Sequence, residues 1–361
     1  LADIEDVEQV RALDPANMYN AIFDLPEHMT EAARIASMWR VQPTDFADPR
    51  NVVVIGMGGS AIGGEMVLST MSSKLLVPFQ VCRHYELPEY VDDETLLIVL
   101  SYSGNTEETI AAIEDGLARK AMIAAITTGG LLKDICALNE VPMCQIPSGL
   151  QPRAAIGYSF VPLMLFLEKI GLVAGFNDEL KTLIPALQKF REVFIEDLPI
   201  EQNPAKKLAT KLIGKIPIIY SGPTLSAAAG SRFKTQICEN GKQLAFTNQF
   251  SEFNHNELVG WCESIEPYKD LLSVIILRDA EDMPQIRNRM NIVRDRIKGL
   301  GVDLTEVHSK GTTRMERLFS MFQLADFTSY YLAVLGDNDP TPVEAIEDLK
   351  KQLGGRLMAG T

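Results

Sequence analysis

Chemistry-bearing residues gather first at 98–109, IVLSYSGNTEET, where an apolar run ends in serines, a glycine, an asparagine and threonines. Ser101, Ser103 and Thr106 offer hydroxyls, and Gly104 lets a ligand approach the backbone with no Cβ in the way. A loop that leaves a strand and opens a helix presents free N–H groups and the positive end of the helix dipole, which favours a phosphate or carboxylate. A second cluster, GMGGSAIGG, starts at Gly56 and places Gly58, Gly59 and Ser60 after another apolar run. Taken alone, Ser103 or Asn105 could simply cap a helix, with Glu107 and Glu108 matching its dipole. Two hydroxyl–glycine loops in one sheet read instead as an anion site. GMGGSA also fits the dinucleotide pattern G-x-G-x-x-A, which is weak by itself. The ribose-binding acid expected about 20 residues on has no clear counterpart, since the chain there reads CRHYE with only Glu86 further out.

Such loops need strands to aim them. Strands are expected at Asn51–Ile55, Val77–Cys82, Leu96–Leu100, Met122–Thr127 and Val141–Ile146, with a helix over 106–119 and another continuing through Glu65–Ser69. Continuous apolar strands alternating with helices predict a parallel sheet covered on both faces. An apolar helix follows QPR at 151–153, with Pro162 expected to kink or punctuate it. EDLPIEQNP, rich in acids and prolines, marks a domain boundary near residue 200. The pattern then restarts with strands at Lys215–Tyr220, Leu272–Leu277 and Asp303–Val307 and helices at Ala228–Cys238, Asp279–Lys298, Met315–Leu335 and Val343–Leu353. The expectation is α/β, two α-β-α sandwich domains at 1–199 and 200–361, each with a mainly parallel sheet flanked by helices. The second half has no counterpart of SYSGNT; RDAED follows its central strand.

A formal charge of −14 argues against non-specific binding to nucleic acid or anionic membranes. Hydroxyls and amides can still hold a phosphate ester locally. Five cysteines without a C-x-x-C pair, and an acidic start unlike a signal peptide, favour a reduced, cytoplasmic protein. The scattered histidines, His28, His84, His255 and His308, give no metal-site spacing.

SYSGNT with GMGGSA before it resembles the sugar isomerase (SIS) domain, which binds phosphosugars. QPRAAIGY at 151–158, ENGKQLAF at 239–246 and FNHNELVGW at 253–261 extend the likeness to the bifunctional phosphoglucose/phosphomannose isomerases. It runs from about residue 50 to 353, and the ordered set of motifs is far more specific than any one of them. It implies two SIS domains, a hexose 6-phosphate substrate, no cofactor and no metal. The implied phosphate site is Gly59, Ser60, Ser101, Ser103 and Thr106.

Aldose–ketose isomerisation needs an anchored phosphate, ring opening, a base that moves a proton between C2 and C1, and a cation for the enediolate. The resemblance assigns the base to Glu239, at the end of an apolar helix; the bland reading is a surface acid. It assigns ring opening to His255, reaching the site from the partner of a homodimer, where a loop histidine alone is more often structural. Arg153 would stabilise the enediolate, or else form a salt bridge at the domain seam. Lys350 resembles the lysine that assists ring opening, with Lys351 beside it as the alternative register. Seven residues before Lys350, phosphoglucose isomerases carry Gln and the bifunctional enzymes Thr; here Val343 stands there, with Thr341 nearby. A smaller residue leaves room to turn the open chain about C2–C3, which implies mannose activity beside glucose activity. The competing class is a SIS-fold regulator that binds a phosphosugar without turnover.

Overall fold

The computed structural model describes residues 2–359. Three helices open the chain: α1 (Val7–Ala12), α2 (Met18–Phe23) and α3 (Leu25–Met38). The first sheet then alternates with helices: β1 (Asn51–Ile55), α4 (Gly58–Met71), β2 (Phe79–Cys82), β3 (Thr95–Ser101), α5 (Glu107–Ala118), β4 (Met122–Thr127), α6 (Gly130–Leu138) and β5 (Met143–Gln145). Its order is β2-β1-β3-β4-β5, parallel throughout. The chain moves outward from β1 on one side and from β3 on the other, so the topological switch point lies between them. That is where open α/β sheets bind ligands, and both hydroxyl–glycine loops leave the sheet there.

Two long helices, α7 (Ile156–Lys169) and α8 (Phe176–Arg191), and then α9 (Pro204–Leu212) lead to the second half. Its elements are β6 (Ile216–Ser221), α10 (Leu225–Glu239), β7 (Phe246–Gln249), α11 (Glu257–Glu263), β8 (Leu272–Arg278), α12 (Pro284–Gly299), β9 (Asp303–His308), α13 (Arg314–Leu335) and α14 (Glu344–Ala359). The second sheet runs β7-β6-β8-β9, again parallel. Apart from β5 the two sheets share one topology. The strand ends are dressed differently, however. Where the first half has SYSGNT, the second has Asp279 paired to Arg317 at 3.0 Å and Arg278 paired to Glu306.

β1 and β3 are buried along their whole length, as covered parallel strands must be. One apolar core runs through both halves, joining α3, α7, α8, α10 and α13. α13 begins with a full capping box between Thr313 and Glu316 and is buried along almost all of its length. Two expectations needed correction. Pro162 sits inside α7 without ending it, because the helix is buried and wedged against α3 and α4. The GMGGSAIGG glycines from Gly58 on are helical, since α4 starts there, packed against α7 and α10; that packing overrides their poor propensity. β7 and α11 carry no apolar period strong enough to be read from the sequence; α9 does, with Ala205, Leu208, Ala209 and Leu212 on one face behind the Asn203 cap, and was passed over.

Candidate active site

The two loops are built as one unit. Ser60 Oγ accepts from the Tyr102 amide at 3.2 Å, which ties the start of α4 to the loop after β3. Within that loop the Gly104 amide donates to Ser101 Oγ at 3.1 Å, and the Ser101 hydroxyl donates to Thr106 Oγ1 at 3.2 Å. Gly104 has φ +69° and lies so close to Gly129 that a Cβ would fall 1.8 Å from the Gly129 oxygen, so no other residue fits. Asn105 Oδ1 accepts from the Leu131 amide at the start of α6, at 2.9 Å. Neither Ser103 nor Asn105 therefore caps α5. Its N-cap is Thr106, and Thr106 makes no side-chain capping bond. α4, whose N-cap is Met57, likewise has no side-chain cap. Two helix starts thus face the switch point with uncapped amides, and Ser103 is exposed beside them.

From this unit the path to the second half is short. A Cβ on Gly59 would lie 2.9 Å from the Pro152 oxygen and 3.3 Å from Arg153 Cα, so the start of α4 rests on the QPR turn. Tyr102 Oη accepts from the Leu150 amide at 3.1 Å and anchors the same turn. Arg153 is 3% exposed, and its Nη1 lies 3.7 Å from Glu239 Oε2. Its Nη2 donates to the Pro340 and Thr341 carbonyls at 2.9 and 2.7 Å, just before α14. Burial pulls the guanidinium below its ordinary value, opposed by the charges of Glu239 and Asp339. Glu239, the last residue of α10, keeps about a quarter of its side chain exposed, at 27%. It lines a cavity of about 320 Å³ together with Cys238, Lys242, Pro342, Val343 and Ile346.

The other two expected residues lie further off. Lys350 is exposed on α14. It sits four residues after Ile346, one of the residues that line the cavity, and does not itself line it. Lys351 sits seven residues after Glu344, another lining residue, and lies 3.6 Å from Asp348. His255 is exposed, on a 3₁₀ turn at Glu252–His255 beyond the edge strand β7. A single chain therefore brings together the loops, Arg153 and Glu239, with Val343 beside Glu239, and leaves Lys350 and His255 exposed.

Sequence reasoning passed over the residues behind Arg153. Arg232, Gln236 and Asn240 fall at i, i+4 and i+8 on one face of α10. Arg232 forks onto Asp326 of α13 at 2.9 and 2.7 Å and also donates to the Arg153 carbonyl at 2.9 Å. Gln236 donates to Asp326 Oδ1 at 2.7 Å. Burial pushes the Asp326 carboxyl up, against the pull of Arg232 and Gln236. Asn240 accepts from Arg153 Nε at 2.5 Å and donates to Ser329 Oγ at 3.0 Å. The spacing gave only a weak signal: 232 and 236 on α10 and 240 at its C-cap fall four apart, while 326 and 329 lie among other polar residues of α13, Ser320, Gln323 and Thr328. Lys242 was passed over as well. It stands just past α10 with φ +53°, and its Nζ donates to the carbonyls of Glu239 at 2.7 Å, Pro340 at 3.2 Å and Pro342. Desolvation and the nearby charge of Arg153 push this ammonium down to about 8, opposed by Asp339, Glu239 and Glu344.

Comparison with known proteins identifies the family. Residues 45–131 match the SIS domain, and residues 201–353 match the bacterial phospho-glucose isomerase C-terminal SIS domain. Over 336 residues, 93% of this chain and 98% of the relative, the sequence is 43% identical to a bifunctional phosphoglucose/phosphomannose isomerase of Caldicellulosiruptor bescii. The chain belongs to the bifunctional phosphoglucose/phosphomannose isomerase family. A second such isomerase, from Thermoplasma acidophilum, is 34% identical across 84% of this chain and 89% of its own. The fold also matches the crystal structure of a hypothetical protein from Thermus thermophilus with a TM-score of 0.74, at 17% identity, covering 97% of this chain and 94% of that one. The first matched segment of this isomerase family member holds both phosphate-loop candidates, and the second holds Glu239, His255 and Lys350. Arg153 falls between the two.

Proposed function

We propose that this chain interconverts fructose 6-phosphate with glucose 6-phosphate and mannose 6-phosphate, through ring opening and an enediolate. One observation carries the reading: Gly59 of the phosphate loop packs on the backbone of Arg153, whose guanidinium faces Glu239. Anion anchor, cation and base are thereby linked across the two halves, whose boundary we place near residue 200. The uncapped amides of α4 and α5, with the hydroxyls of Ser60, Ser101, Ser103 and Thr106, hold the phosphate. Glu239 takes the proton from C2 or C1. Its carboxyl, 27% exposed, exchanges with solvent, and it then protonates the neighbouring carbon while the hydroxyl proton passes between O1 and O2. Arg153 balances the enediolate charge through its Nη1 edge. Moving a proton between adjacent carbons asks for no redox partner.

Ring opening falls to Lys350 of α14, with Lys351 as the alternative register, and to His255. His255 is exposed here, and in this reading it enters the site of a second copy in a homodimer. Val343, beside Glu239 in the cavity, leaves room for the open chain to turn before reprotonation. The test is a coupled assay from fructose 6-phosphate that reads both aldose phosphates, with Glu239→Gln in parallel. Both products should form with wild-type protein, and Glu239→Gln should bind substrate without turning it over. Binding with no turnover in the wild type would instead identify a phosphosugar-binding regulator, and glucose 6-phosphate alone would end the mannose assignment.

A further inference from the structure

Arg153 is a planar cation, and what it stabilises depends on which edge it turns toward Glu239. Four of its five N–H donors are directed elsewhere. Nη2 is held by the Pro340 and Thr341 carbonyls, Nε by Asn240 Oδ1, and one Nη1 hydrogen by Gln151 Oε1 at 3.3 Å, so a single Nη1 hydrogen is left. Fixing Nε and Nη2 fixes the plane of the fork, which leaves the Nη1 edge toward Glu239. We propose that Asn240 is a positioning residue for the isomerisation: it orients the Arg153 fork so that this edge meets the enediolate. The inference rests on the isomerase reading above and adds a residue to it.

The hydrogen-bond directions leave little choice at position 240. The Ser329 hydroxyl donates to the Asp326 carbonyl at 2.7 Å, so it can only accept from Asn240. Arg153 can only donate. Position 240 must therefore offer an acceptor to one side and a donor to the other, within a site that is fully buried. An amide does this, whereas a carboxylate of the same size cannot donate to Ser329. The backbone of Arg153 is held separately, by Arg232 on its carbonyl. Asn240 thus governs the direction of the side chain, and the phosphate loops lie in the other half, out of its reach.

The experiment compares wild type, Asn240→Asp and Ser329→Ala. Ser329→Ala removes the anchor of Asn240 without touching Arg153, and it guards against failure of the first variant to fold. The readouts are kcat and KM for fructose 6-phosphate, affinity for a hydroxamate analogue of the enediolate, and urea unfolding. Asn240→Asp should lower kcat by about 10- to 100-fold, and Ser329→Ala by roughly 3- to 10-fold. KM should stay within about threefold in both, and analogue affinity should fall in step with kcat/KM. A merely structural role would lower stability and the folded fraction, with kcat per folded site and analogue affinity unchanged; that result overturns the proposal. So do kcat and analogue affinity within about twofold of wild type in both variants. An inactive wild type fails the isomerase reading itself, and the Asn240 inference falls with it. An active wild type with unaltered variants removes Asn240 alone.

Discussion

At the residue scale, each candidate role has a physical consequence of its own. Glu239→Gln keeps the shape of the side chain but removes the base, so kcat should fall by about 10²- to 10⁴-fold while substrate affinity is kept. Gly104→Ala must place a Cβ at φ +69° against the Gly129 oxygen. A left-handed alanine alone costs roughly 1–2 kcal/mol, and the clash adds to it. This variant should therefore lose stability in urea unfolding and raise KM more than it lowers kcat. Lys242 predicts a pH effect. Below about 8 its ammonium supplies three N–H donors to three carbonyls; above that, the neutral amine supplies two. The turn before α14 loses a donor as pH rises, so kcat should decline through about pH 8. In Lys242→Met that alkaline limb should be absent and the plateau lower; an unchanged limb in the variant removes Lys242 from the explanation.

Among the elements, α10 and α13 do most to hold the site together. Both are built around the buried pair Arg232–Asp326, at 2% and 4% side-chain exposure. Removing one partner of such a pair strands the other charge, at about 3–5 kcal/mol. Asp326→Ala should show this in urea unfolding, and its folded fraction should have a lower kcat because Arg153 loses its backing. Neither helix's polar partners were legible in advance. The sequence shows periodicity of the apolar face, which locates α13 closely, but a buried polar pair is recognised only once two distant helices are seen to meet. The strands were legible because covered parallel strands read as continuous apolar runs; Met122–Thr127 was placed to the residue. β7 was not, since its side chains are exposed or half-buried at a sheet edge and alternate weakly. The loop 98–109 was legible as an anion-site candidate. The fold removes the helix-cap alternative, by leaving α5 without a side-chain cap and sending Asn105 to α6.

For the whole molecule, the one residue that the single chain leaves out is His255. If it enters from a second copy, mixed dimers can separate the two arrangements. Glu239→Gln and His255→Gln subunits, each inactive alone, should regain about a quarter of wild-type activity when mixed equally, because half the dimers carry one intact site of two. No recovery would place Glu239 and His255 of one chain in the same site. The central claim, a proton moved by Glu239 through an enediolate, is tested most directly by turnover of fructose 6-phosphate in deuterium oxide, followed by NMR. Wild-type protein should place deuterium at C2 of both aldose phosphates, and Glu239→Gln should bind the sugar without exchanging it. Aldose formed with no deuterium at C2, or exchange undiminished in Glu239→Gln, would contradict the account.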